Sequence, residues 1–144
     1  MKSGKIITLD SDIREILQNS KTIAVLGLSP KPERDSYQVA AYLQQNGYEI
    51  IPVRPAQRMI LGEKAYASLT EIHRPVDIVN VFRNSDQVLA HAREALELKP
   101  NVFWMQLDIQ NHDAALMLTA RGIDVIMNRC IQVEHERLVR KTTL

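Results

Sequence analysis

The chain has 144 residues, of which 45% are apolar and 24% charged, and its formal net charge is +1. That length suits one domain burying roughly 70% of its extended-chain surface, and near-neutrality excludes a global field that would recruit nucleic acid or an anionic membrane. Cys130 is the only cysteine, which excludes an internal disulfide framework and a cysteine-cluster zinc site.

From the amino terminus, residues 1–8 lack the apolar core of a secretion signal, and no apolar run approaches the ~20 residues of a membrane span. A cytoplasmic protein is expected. Asp12-Ile-Arg-Glu15, with Ile13, Ile16 and Leu17, predicts a helix covering one end of a sheet. Five short runs rich in Val and Ile follow, at 23–26, 49–53, 78–82, 102–105 and 123–127. Near-continuous apolar character is the mark of parallel strands buried on both faces. Between them Val39/Ala40/Leu43 and Val88/Leu89/Ala92/Leu96 repeat at helical spacing. Ser36, Ser85 and Asn111 stand where N-caps belong, and Asn46-Gly47, Arg121-Gly122 and Pro100 stand where helices should stop. Ser68-Leu-Thr-Glu71 has capping-box spacing, and residues 62–66 suggest a brief edge strand. Parallel crossovers are right-handed almost without exception. The alternation therefore predicts an α/β doubly wound parallel sheet of order 3-2-1-4-5-6 in a single domain.

In such a sheet a ligand sits beyond the carboxyl ends of the strands, where strand order reverses. The loops converging there, 28–35, 54–58 and 83–84, carry Lys31, Arg34, Arg54, Arg58 and Arg83 against Glu33 and Asp35. After the first strand comes Gly27-Leu28-Ser29-Pro30, with Ser29 in place of the second glycine of the dinucleotide fingerprint and with Pro30 and Pro32 stiffening the loop. That loop would hold a diphosphate through the Ser29 and Ser36 hydroxyls, backbone N–H groups near Ser36, and Arg34. The second strand ends Pro52-Val53-Arg54-Pro55, with no acid to accept a ribose hydroxyl. A guanidinium there suits a phosphorylated ribose instead, as in NADP or coenzyme A. Phe82 and Trp104 read as packing residues, Phe82 with a secondary chance of touching a base. Cys130 reads first as a small buried residue, although adjacent Arg129 would favour its thiolate. His73, His91, His112 and His135 show no metal-ligand spacing. His135, flanked by Glu134 and Glu136, has no evident nucleophile and is placed in a charged tail with the basic run 137–141.

Taken together, Gly27-Leu-Ser29-Pro30-Lys-Pro-Glu-Arg34-Asp-Ser36, Gly47-Tyr-Glu-Ile-Ile-Pro52-Val53-Arg54-Pro55, Leu61-Gly62-Glu63, Val79-Asn-Val81-Phe82-Arg83, Trp104-Met-Gln106-Leu and Asn128-Arg129-Cys130 resemble the small single-domain CoA-binding proteins. Those are similar in fold to the CoA-binding domain of succinyl-CoA synthetase α subunits. The resemblance covers residues 22–138, leaving 1–21 as a helical extension and 139–144 as a tail. It implies a three-layer Rossmann-like domain holding coenzyme A, or an acyl-CoA, by its ADP portion. Gly27, Leu28, Ser29, Pro30, Lys31, Arg34 and Ser36 would meet the diphosphate, and Val53, Arg54 and Arg58 the phosphorylated ribose. Val81, Phe82 and Arg83 would lie on the adenine side, with Gln106 toward the pantetheine arm. Three positions depart from the usual pattern: Arg54 for Asn, Asp108 for Gly, and Asn128-Arg-Cys-Ile131 for Asp-Arg-Cys-Pro. No catalytic or metal-binding residue is expected, no nucleic acid or membrane is an expected partner, and self-association is left open. If Cys130 lay near the CoA sulfur, a mixed disulfide would follow. The alternatives are an NADP-dependent oxidoreductase and an interaction module with a vestigial crevice.

Overall fold

A computed structural model describes residues 3–140. The elements run α1 (Asp10–Asn19), β1 (Thr22–Leu26), α2 (Asp35–Gln45), β2 (Glu49–Val53), β3 (Met59–Ile60), β4 (Glu63–Lys64), β5 (Ile78–Val81), α3 (Val88–Leu98), β6 (Val102–Met105), α4 (His112–Ala120), β7 (Asp124–Ile126) and α5 (Ile131–Leu138). Five strands form one parallel sheet in the order β2-β1-β5-β6-β7. The doubly wound α/β reading holds, with β1 at the reversal between β2 and β5.

Successive strand residues point to opposite faces, so each strand feeds two cores. Ile23 and Val25 of β1 pack in one cluster with Ile13, Leu17, Leu43 and Leu138, the layer of α1, α2 and α5. Ala24 and Leu26 pack in the other with Val88, Ala92, Ala115 and Leu118, the layer of α3 and α4. Trp104 is fully buried, and its indole N–H donates to the Arg129 carbonyl at 2.8 Å, which fits its reading as a packing residue.

Both margins of the sheet end in single residues. The third strand anticipated at 62–66 is divided: Glu63–Lys64 pairs antiparallel with Met59–Ile60, and only Tyr66 bridges to Val53. Positive φ at Leu61 (+55°) and Gly62 (+76°) folds the segment into a tight hairpin, so too few extended residues remain to run beside β2. At the far margin Ile6 bridges to Val125, flanked by Ile7 N–H to Val125 O at 2.8 Å and Lys5 N–H to Asp124 Oδ1 at 2.9 Å. Gly4 is pressed so closely on this margin that a Cβ would lie 2.3 Å from the Ile123 carbonyl oxygen.

The carboxyl-terminal region differs from the solvated tail expected of it. Arg137 makes a two-point pair with Asp10 at 2.8 Å and also meets Glu134, tying α5 to α1. His135 is buried, with Nδ1 2.8 Å from the Tyr42 hydroxyl and its ring edge-on to Tyr42 and Tyr48. Charge-rich sequence misleads here because α5 turns one face inward, and the buried Glu134 carboxylate is paired with arginines. Lys141 lies outside the described residues.

Candidate functional site

At the carboxyl ends of β1, β5 and β6 lies an open cleft of 1210 Å³. It begins at Gly27, where the chain leaves β1 with φ +86°, and where a Cβ would stand 2.5 Å from the Phe82 carbonyl oxygen. Only glycine satisfies both demands. The turn that follows is fastened by its own serines. Ser29 N–H donates to Ser36 Oγ at 2.9 Å, and Lys31 N–H donates to Ser29 Oγ at 3.1 Å. Ser36 was expected to cap α2, but the N-cap position is Arg34, whose side chain makes no cap bond. The Ser36 hydroxyl instead lies within the first turn of α2, closing the loop. Each serine oxygen accepts one bond within the turn and keeps its own O–H for an outside acceptor. The amino-terminal turn of α2 opens on the same space, with its first backbone N–H groups unpaired in the helix.

Of the predicted site residues, the cleft brings together Gly27, Ser29, Pro30, Lys31, Arg34, Ser36, Arg54, Phe82, Arg83 and Gln106. Leu28, Val53 and Val81 are buried and support it from below; the Val53 carbonyl accepts the Gly27 N–H at 2.9 Å. Arg58 is exposed outside the cleft, on the approach to the β3–β4 hairpin. Positive φ at Ala56 (+64°) lies within this turn, and Gln57 lines the cleft instead. The cations share the space with Glu33, Asp35 and Asp108. Among the described residues none of Lys31, Arg34, Arg54 and Arg83 forms an ion pair. Arg54 leans on the Gly27 carbonyl at 3.5 Å, and Arg83 Nε is buried without a partner among the described residues.

The far end of the cleft is organised by Gln106, which is only 6% exposed. Its Oε1 accepts from Asn80 Nδ2 at 3.1 Å and from Ile131 N–H at 3.2 Å. Two donors on the oxygen fix the amide's orientation. Nε2, whose hydrogen bonds no protein group among the described residues takes, is left to face the cleft. Cys130 lines the same end and is half-buried, where burial in the core had been expected. Arg129 does not turn its charge toward that thiol, because its guanidinium reaches Glu134 at 3.4 Å and the Thr8 carbonyl at 3.3 Å. Asp108 and Asn128 both have positive φ, +67° and +60°, and Asp108 N–H donates to Asn128 Oδ1 at 2.7 Å. The two departures from the usual pattern thus meet in one left-handed junction, where Asp and Asn are the best-tolerated alternatives to glycine. Sequence reading missed Leu107, Ile109 and Gln132, which line this end; nothing in their residue types signalled it. No three His, Cys, Asp or Glu side chains among the described residues are grouped to hold a metal ion, and no helix among them is long and apolar enough to cross a membrane.

Comparison with known proteins adds a family. The model of the CoA binding domain matches residues 21–136. The uncharacterized protein YneT of Bacillus subtilis (strain 168) is 51% identical over 125 residues, covering 87% of this chain and 93% of that protein. Among solved structures, cell-free ID.343 from Thermus thermophilus is 40% identical with a TM-score of 0.87, covering 91% of this chain and 99% of that one. A hypothetical protein from Pyrococcus horikoshii OT3 is 36% identical with a TM-score of 0.88, over 96% of this chain and 99% of that one.

Proposed function

Since the chain belongs to the CoA binding domain family, we propose that it holds coenzyme A, or an acyl-CoA, in the cleft at the carboxyl ends of the strands. The observation that carries the reading is the turn from Gly27 to Ser36. It is closed by its own hydrogen bonds, presents two hydroxyl protons, and opens beside the first turn of α2. A diphosphate bound there meets backbone N–H groups, the serine hydroxyls and Arg34 with little rearrangement of the protein, and preorganisation of this kind favours affinity. Arg54, at the end of β2, takes the phosphorylated ribose, and Phe82 and Arg83 flank the base. The pantetheine arm runs toward Gln106, whose free amide N–H groups suit the arm's carbonyl oxygens. The protein acts by binding, and no side chain is assigned a chemical step.

Isothermal titration with coenzyme A, dephospho-CoA and NADP tests this. Coenzyme A should bind with one site per chain, and dephospho-CoA should bind at least tenfold more weakly, because a charge-assisted phosphate contact contributes roughly 1.5–3 kcal/mol. Equal affinity for dephospho-CoA would remove the ribose phosphate from the site. Tighter binding of NADP would overturn the assignment.

A further inference from the structure

A second groove, of 530 Å³, lies past the far end of the cleft, and Leu107 and Cys130 line both. Its walls include Ile6, Met127 and Val133. Ile6, Leu107 and Val133 are 43%, 56% and 52% exposed, so three of the large apolar side chains this protein leaves in water surround one groove. Sharing one groove, these side chains offer apolar walls on which an aliphatic chain can lie. Polar groups, among them Gln110, His112 and Arg129, also line it.

The junction between the two spaces has its own chemistry. Gln106 lines the cleft and not the groove, but it is next in sequence to Leu107, which lines both; nine-tenths buried and pinned through its oxygen, it presents Nε2 hydrogen-bond donors on the cleft side of the junction. A donor followed by an apolar trough fits a ligand whose carbonyl oxygen is followed by a hydrocarbon tail. We propose that this groove is an acyl subsite, and that the ligand class is an acyl-CoA bearing a medium-length aliphatic chain rather than free coenzyme A. The inference rests on the reading of the cleft given above. The thioester carbonyl accepts from Gln106 Nε2, and the tail passes Leu107 and Cys130 to lie on Ile6 and Val133. Each methylene removed from water is worth roughly three- to fourfold in affinity.

Titration calorimetry with coenzyme A, acetyl-CoA and octanoyl-CoA reads this directly, alongside sedimentation of the unliganded protein. Octanoyl-CoA should bind at least thirtyfold more tightly than coenzyme A. The Val133→Asp variant should lose most of that advantage and keep the affinity for coenzyme A. Ile6→Asn serves the same purpose should Val133→Asp fail to fold. Octanoyl-CoA binding within twofold of coenzyme A overturns the acyl subsite and leaves the cofactor reading intact, whereas no binding of either overturns both. An octanoyl advantage that survives both variants places the tail elsewhere and also overturns it. So does a dimer that Val133→Asp dissociates, which would make the groove an interface between copies.

Discussion

Gly27 and Arg34 stand seven residues apart in one turn, yet they are constrained by different physics. Gly27 is fixed by backbone geometry: its φ of +86° disfavours any Cβ, and the Phe82 carbonyl fills the place a Cβ would occupy. Gly27→Ala should therefore cost more than about 1 kcal/mol of folding stability, read as a fall in the denaturation midpoint, because strain and a backbone clash add. Arg34 is exposed and forms no ion pair among the described residues, so the fold does not depend on it. Arg34→Ala should leave the midpoint unchanged and weaken coenzyme A binding by roughly 1–3 kcal/mol in calorimetry. An unchanged dissociation constant would take Arg34 out of the site. Gly27 was legible in the sequence because a glycine closing an apolar run is a strong local signal. The Ser36–Ser29 bond was not, because a serine near a helix start reads as a cap until the preceding loop is seen to fold back on it.

Strands were the most legible elements, since each is short, largely apolar and mostly buried, and the five sheet strands lie within a residue or so of the expected runs. Short and irregular pieces were not. Ser85 is the first residue of a single 3-10 turn, Ser85–Gln87, and α3 starts only at Val88, while the Ser85 hydroxyl accepts the Gln110 N–H at 3.1 Å. Asn111 does cap α4, its Oδ1 accepting from Ala114 N–H at 2.9 Å. Helix α5 departs from the expected solvated tail because its amphipathic face buries a histidine and a glutamate, residue types that normally mark solvent. That burial has a pH signature. Desolvation, with repulsion from Arg140, holds His135 below its ordinary value of 6.5. The unfolded chain then takes up the proton first as pH falls. Stability is full above about pH 6.5 and declines below it toward the folded-state value. Thermal denaturation from pH 7.5 to 5 should show a steeper loss for the wild type than for His135→Gln, and parallel slopes would refute the assignment. At the alkaline end, burial pushes Tyr48 up to about 12, so its contribution is lost as pH rises from 10 toward that value.

For the molecule as a whole, two packed layers on a parallel sheet make a scaffold whose site is assembled from loops at one rim. Ligand and fold are then linked: a ligand that binds only the native state raises stability by about 2.7 kcal/mol at a hundredfold excess over its dissociation constant. For a chain of this size that should lift the melting temperature by roughly 6–12 °C. A thermal shift with saturating coenzyme A that stays below 2 °C would contradict binding at the cleft. The opposite margin carries a different lesson. Gly4 to Ile7 are laced onto the open side of β7, with Gly4 N–H donating to the Thr119 carbonyl at 2.8 Å and Val125 N–H to the Lys5 carbonyl at 2.9 Å. Trimming the chain back to Leu9 would uncover that hydrogen-bonding rail along Asp124–Ile126, a template on which other unpaired strands can assemble. Such shortened versions should turn sticky and precipitate on concentration even though the cleft at the ends of β1, β5 and β6 has lost none of its side chains.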